Sequence, residues 1–228
     1  MTEMTLFSGP LSMFGAKVQI AALEKDLPVT VVMVPFTMDH RYDPKHPEVL
    51  RVNPKRQVPV LIHGDVEIFD STQIFEYFEH LQPQPPLWPS QPAARARARL
   101  LELKSDEVFF PHVIRLMGLQ DSLGEAAARE AIAQLLRYYE AVEAMIEGSE
   151  YIAGEYTYAD IAFYMAQIFA ARLGAPMTRA TPRLLAWRER LAARPAVHKV
   201  VLQFADSLER YQLRVPDFIA RAVAAKSR

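Results

Sequence analysis

Two short stretches place small oxygen-bearing residues where a helix is about to begin. In GPLSMFGAKVQIAALEK, residues 9 to 25, Ser12 stands just before an apolar run with helical spacing. In FDSTQIFEYFEHL, Asp70 and Ser71 hold the corresponding place. The plain structural use of such residues is capping, in which a side-chain oxygen accepts a bond from an orphan backbone N–H. The same position has a chemical use. A helix N-terminus carries partial positive charge and spare N–H donors, so it holds anions. A hydroxyl that accepts from the helix still has its own hydrogen to donate outward. The chain contains no cysteine, which excludes disulfides, a protein-thiol nucleophile and thiolate metal sites. A third stretch, NPKRQVPVL at residues 53 to 61, joins Val58 to Pro59 where a strand begins, a place that tolerates proline. Lys45 and Arg56 read as solvated charges or as anion-binding groups. His112 has no histidine or carboxylate four residues on, so it lacks the helical zinc pattern, and no metal is expected.

The elements that must position these residues alternate at first. Residues 4 to 7 form a short strand, residues 13 to 25 a helix, and VTVVMVPF at 29 to 36 a strand rich in β-branched residues. VPVLIHGDVEIFDS reads as two strands joined by a tight turn at His63, Gly64 and Asp65. STQIFEYFEHL is an amphipathic helix with Ile74, Phe75, Phe78 and Leu81 on one side. The order is β-α-β-(segment)-β-β-α. Prolines then crowd QPQPPLWPSQP, and residues 82 to 92 read as a stiff connector anchored by Leu87 and Trp88. Everything beyond is helical. Residues 93 to 117 are kinked at Pro111, followed by 124 to 147 and by 154 to 174, the last with Thr157 and Asp160 as a capping box. A helix with Thr181 as cap and Pro182 at its first position, a fifth helix from RPAVHKV, and a short one after Pro216 complete the chain.

Composition agrees with a globular protein. Of 228 residues half are hydrophobic and 23% charged, and the net charge is -1. That length can bury a sizeable core as one large domain or two small ones. There is no basic excess for nucleic acid and no apolar run of about 20 residues for a membrane span. The N-terminus lacks the charged start and long apolar core of a signal peptide, so a cytoplasmic protein is expected.

The motifs together resemble the soluble glutathione S-transferase family. SMFGAKVQIAALEKDLP is similar to its serine-type pattern Ser-x-Phe-Gly-x-[Arg/Lys]-x-x-Ile-Ala-Leu-x-x-Lys-Gly, with Asp26 where glycine is common. NPKRQVPVL is similar to Asn-Pro-x-[Arg/Lys]-Gln-Val-Pro, and FDSTQIFEYF to [Glu/Asp]-Ser-x-x-Ile-x-x-Tyr. TYADIAF and RPAVHKV look like motifs of the helical domain. The likeness runs over essentially the whole chain and is nearest to tau/zeta-like bacterial members. It implies an α/β thioredoxin-like N-terminal domain (β-α-β-α-β-β-α) over residues 1–81, a linker at 82–92, and an all-α domain over 93–228 that forms an electrophile pocket.

The resemblance also implies roles. Ser12 would be the catalytic residue whose hydroxyl faces the sulfur of bound glutathione. Val58, before a cis Pro59, would pair its backbone with the cysteinyl part. Ser71 and nearby amides would hold the γ-glutamyl carboxylate, and Asp70, shorter than the commoner glutamate, its amine. Gln57 and Lys45, with Arg56 a further candidate, would take the glycyl carboxylate. Candidates for the electrophile pocket are Met13, Phe14, Met38, Phe109, Phe110, His112 and Met117, each of which also suits ordinary helix–helix core. The expected activity is glutathione transfer to a hydrophobic electrophile by a homodimer, with glutathione as co-substrate. The alternatives are a glutathione-dependent isomerase or lyase, of the maleylacetoacetate isomerase or β-etherase kind, and a non-catalytic binding module on the same fold. The isomerase Ser-Ser-Cys-Ser pattern is absent, since Met13, Phe14 and Gly15 follow Ser12.

Overall fold

The computed structural model describes residues 3–43, 45–119 and 122–220. These divide into two compact units: one runs up to Pro85 and takes in the stretch from Ala196 onward, and the other is Pro86–Pro195.

In the first unit the order is β1 (Met4–Ser8), α1 (Met13–Glu24), β2 (Val29–Met33), α2 (Pro47–Val52), β3 (Val60–His63), β4 (Val66–Phe69) and α3 (Ser71–Leu81). The sheet order is β2-β1-β3-β4. β1 and β2 are parallel, and the other pairs are antiparallel. β2 is shorter than the sequence suggests, because Val34 makes the last ladder bond (N–H to Ser8 O, 2.8 Å) and Pro35 can donate none. The β3–β4 turn is the expected hairpin, with His63 opposite Val66 and Gly64 at φ 63°. One sheet face buries Phe7, Val34, Val49 and Val60. The other faces α1 and α3 and buries Leu6, Val18, Ile74, Phe75 and Phe78. The connector is packed as expected. Lys25, fully buried, donates to Gln82 O (2.8 Å) and Pro85 O (2.9 Å) and pairs with Glu79 (2.7 Å).

The second unit holds α4 (Pro92–Lys104), a π-helical turn (Ser105–Phe109), α5 (Phe110–Gly118), α6 (Ala126–Met145), α7 (Tyr158–Arg172) and α8 (Pro182–Ala192). The break expected at Pro111 is this π turn. Pro111 cannot donate and its ring crowds the preceding carbonyls. The chain widens by one residue ahead of it, so Phe110 N–H reaches Ser105 O, and Pro111 sits harmlessly in the first turn of α5. α7 is buried all round and forms the centre. Its start is the expected capping box. The Asp160 carboxylate accepts from Thr157 N (2.9 Å), Thr157 Oγ1 (3.2 Å), Ile152 N (3.0 Å) and Trp187 Nε1 (2.8 Å). Burial pushes this carboxyl up to about 6, while the four donors pull it back. Thr181 precedes α8 as expected, yet its side chain makes no cap bond. The start of α8 is capped from α6 instead: Glu143 accepts from Arg183 N (3.0 Å) and Leu184 N (2.9 Å).

Helix α9 (Pro195–Arg210) groups from Ala196 onward with the sheet unit. The sequence alone puts residues 93–228 together in the helical domain. The reason for the difference is tertiary: Tyr211, just past α9, donates its hydroxyl to Phe36 O (3.2 Å) and sets its ring 4.8 Å from that of Phe36. Residues 217–220, after Pro216, are helical. No described helix is long and apolar enough to cross a membrane.

Candidate functional site

The strand register collects the candidate residues at one end of the sheet. β1 runs toward Ser12, and its last antiparallel pair is Phe7 with Val60, the first residue of β3. Val60 in turn pairs with Phe69, the last residue of β4. The exit of β1, the entry of β3 at Val58-Pro59 and the exit of β4 at Asp70-Ser71 therefore lie side by side. β2 is parallel to β1, with Ser8 opposite Met33, so the connection carrying Met38 and Lys45 leaves from the same end.

Ser12 caps α1. Its Oγ accepts from Gly15 N–H (3.0 Å), and its own N–H donates to Gly9 O (3.1 Å). It is half-buried, and no acidic residue occupies the first turn, so nothing neutralises the positive helix end. Gly15 has no room for a side chain: a β-carbon there would strike the Ser8 hydroxyl, which accepts from Gln19 Nε2 (2.9 Å) under α1. Gly9 is confined as well, since a β-carbon would fall 2.6 Å from the Tyr42 ring. Tyr42 Oη accepts from Leu11 N–H (3.2 Å), one residue before Ser12. Burial above all pushes the Tyr42 hydroxyl up to about 12, so it stays a neutral fixed prop. Lys17, one turn into α1, is fully buried with Nζ 5.2 Å from the Phe14 ring and 5.3 Å from the Phe75 ring.

The Val58-Pro59 peptide is cis. The loop before it is tied by Asn53, whose Nδ2 donates to Gln57 O (2.6 Å) and whose Oδ1 accepts from Lys55 N (2.9 Å). Val58 N–H and C=O have no partner among the described residues. They lie just ahead of β3, where an extended peptide can pair with them. Gln57 and Arg56 are exposed. Lys45 pairs with Asp43 (3.4 Å) and lies 5.9 Å from the centre of the Tyr42 ring.

Asp70 caps α3 by accepting from Thr72 N (3.1 Å) and Gln73 N (3.3 Å). Its φ of 76° is in the left-handed region, where a non-glycine residue is strained and held by its surroundings. Ser71 is buried at the first helical position. Two helix N-termini thus open at this end, one capped by a hydroxyl and one by a carboxylate.

The pocket candidates separate by burial. Met13, Phe109 and Phe110 are core side chains. Phe109 meets Tyr138, Tyr139 and Phe163 at centroid distances of 5.2, 5.3 and 5.3 Å, and Phe110 meets Phe169 at 5.8 Å. Phe14, Met38 and His112 are half-buried and Met117 is exposed. Met38 Sδ accepts from Arg41 (3.8 Å). Burial, with Arg115 adding to it, pulls the His112 imidazole below its usual value. Among the described residues no three histidine or acidic side chains gather to hold a metal. The prop Tyr42 and the Ser8–Gln19 pair are residues that sequence reading misses, since each acts across more than ten positions and no local pattern marks them.

Residues 6–86 match the family model for the glutathione S-transferase N-terminal domain, and residues 106–195 that for the C-terminal domain. The chain is 31% identical over 213 residues to glutathione S-transferase 3 of Zea mays, covering 88% of this chain and 94% of that one. It is 36% identical over 109 residues to a stringent starvation protein A homologue of Coxiella burnetii, where it spans about half of each chain (47% and 48%). Among solved structures, the tau class glutathione S-transferase of mango, Mangifera indica, superposes with a TM-score of 0.76 at 26% identity, covering 92% of this chain and 98% of that one.

Proposed function

This chain belongs to the glutathione S-transferase family, and we propose that it is a serine-type glutathione transferase. The observation that carries the reading is the Ser12 turn. A hydroxyl that accepts from Gly15 N–H keeps its hydrogen for an outside acceptor, at a helix end with no acid in its first turn. A thiol has a pKa near 8.5 and only its thiolate is a good nucleophile. The Ser12 hydrogen bond and the positive end of α1 both favour the anion, so more nucleophile exists at neutral pH. The thiolate attacks an electrophilic carbon, a C–S bond forms, and the electron pair leaves with the displaced group or takes up a proton where the carbon was part of a double bond.

The other contacts hold glutathione in place for that step. Unpartnered Val58 backbone groups suit the cysteinyl segment. Ser71, the first residue of α3, suits the γ-glutamyl carboxylate, and Asp70 its amine. Gln57 and Lys45 suit the glycyl carboxylate. In the sheet unit the half-buried Phe14 and Met38 suit an apolar electrophile, with Met13 serving the core; in the helical unit Phe109 and Phe110 serve the core. A homodimer would cover exposed apolar side chains such as Leu100 and Leu103 of α4, Val108 of the π turn and Ile114 of α5.

The test is calorimetric titration with glutathione, read beside the thiolate ultraviolet absorbance across pH and a panel of electrophiles. Binding with a depressed thiol pKa and turnover of at least one electrophile is the expected result. Failure to bind glutathione at millimolar concentration overturns the reading. Binding with an unshifted thiol pKa and no turnover supports the second reading, a binding module on this fold, which the match to a protein named for starvation response favours.

A further inference from the structure

α2 stands between the two residues that suit the glycyl carboxylate. Lys45 immediately precedes its cap, His46, and its other end is Asn53, whose Nδ2 donates to Gln57 O (2.6 Å). With only six residues the helix gains little from its own ladder and depends on its ends. The far end closes with Asn53 N–H donating to Val49 O (3.0 Å). At the start, Pro47 has no N–H to satisfy, and the next donor, Glu48 N–H, is taken by His46 Nδ1 (3.2 Å).

Histidine differs from the favoured caps in one respect. Serine, threonine and asparagine accept through oxygens that do not titrate, whereas an imidazole nitrogen accepts only while it is unprotonated. The bond from Glu48 N–H therefore fixes the tautomer with its hydrogen on Nε2. A proton arriving at Nδ1 turns the acceptor into a donor that faces another donor, at the positive end of a helix. Imidazole is the side chain whose charge ordinarily changes between pH 5 and 8.

The charged and titratable groups around this start are already engaged. Asp43 pairs with Lys45 (3.4 Å), and the Tyr42 ring lies 5.9 Å from Lys45 Nζ. Glu48 pairs with Arg51 (2.6 Å), which also reaches Glu67 of β4 (2.5 Å). β3 carries His63, with Nδ1 2.7 Å from Tyr77 Oη, and β1 offers only the Phe7 ring, 4.8 Å from that of His46. Among the described residues no carboxylate pairs with the His46 ring, so a charge there meets no partner.

We propose, resting on the reading that Lys45 and Gln57 take the glycyl carboxylate, that His46 is a positioning residue for glutathione. Its neutral imidazole holds the start of α2 and with it the Lys45 arm, so affinity for glutathione falls when His46 gains a proton. The ligand itself adds little to such a change, because its carboxyl groups titrate well below pH 5 and its thiol near 8.5.

The test is calorimetric titration of the full chain with glutathione from pH 8 down to pH 5. Wild-type affinity is expected to fall about fivefold, the size of one lost cap. His46→Asn caps without titrating and is expected to rescue binding at pH 5 and flatten the profile, with His40, His63, His80 and His198 still in place. His46→Ala is expected to bind about fivefold more weakly than wild type at pH 8 and equally at pH 5. A long-range proton–nitrogen spectrum, in which the His46 signal is the one missing from His46→Asn, is expected to show the Nε2–H tautomer at pH 8. A flat wild-type profile, or a His46→Asn profile like that of the wild type, overturns the proposal. So does affinity that rises toward acid, which would make His46 a cationic contact, and so does an Nδ1–H tautomer. Should His46→Ala not fold, the comparison of wild type with His46→Asn decides. No binding of glutathione at any pH overturns the proposed function and this role of His46 together, whereas binding with any of the contrary results overturns the role of His46 alone.

Discussion

The starts of α1 and α7 are both capped by a hydroxyl residue, and they do opposite things with it. At α7 the Thr157 hydroxyl accepts from Ala159 N–H and lies against the Asp160 carboxylate, which also draws in Trp187, Ile152 and the Thr157 amide. Both residues are fully buried, and the helix end is closed. At α1 the position corresponding to Asp160 is Gly15. No carboxylate neutralises the helix end, Ser12 is half-buried, and its hydrogen remains to be donated. The same capping chemistry closes a helix end where an acid completes it, and leaves a hydroxyl hydrogen and an uncompensated helix end where the acid is left out.

Four changes sharpen or break that contrast. Asp160→Ala has the largest expected effect: it strands buried donors on Thr157, Ile152 and Trp187, at a cost of about 3 kcal/mol or more in denaturant unfolding. A loss below about 1 kcal/mol would show that the closed cap is not holding α7. Gly15→Ala comes next, with about 2 kcal/mol expected from the collision with Ser8, and with glutathione binding weakened alongside stability. Unchanged melting would mean the α1 turn has slack that the geometry denies. Ser12→Ala should cost only about 1 kcal/mol of stability yet raise the thiol pKa of bound glutathione by about one unit, or about 1.4 kcal/mol. The sign is set by the hydrogen bond favouring the thiolate, so the variant's activity should recover toward higher pH. An unshifted thiol titration would make Ser12 a cap like Thr157. Tyr42→Phe is the mildest. Losing the acceptor for Leu11 N–H should cost about 1 kcal/mol and move the thiol pKa less than Ser12→Ala does; a larger shift would place control of the turn in Tyr42.

Much of this was legible in the chain order of residues. Period-two and period-3.6 patterns separate the strand-bearing first third from the helices beyond. Local motifs mark Ser12, Val58-Pro59, Asp70-Ser71 and the Thr157–Asp160 box, because caps and turns are made by residues within a few positions of one another. The capping of α8 by Glu143 was not legible, since forty positions separate donor from acceptor and Thr181 mimics the local signal. The allegiance of α9 was not legible either, because helical spacing records that a helix has an apolar face and not what that face meets. Burial separated the pocket candidates in the same way: Phe109 and Met117 look alike in sequence, and only packing sends one inward and leaves the other exposed.

The sequence by itself determined which residues start helices, which carry a spare proton and which thiol is missing, for these depend on residue type and near neighbours. The tertiary structure alone decided that three distant loops share one end of a sheet, that Tyr42 props the Ser12 turn from thirty residues away, and that β2 lies at the edge of the sheet. Those facts rest on strand register and on contacts between elements, which a linear pattern does not encode.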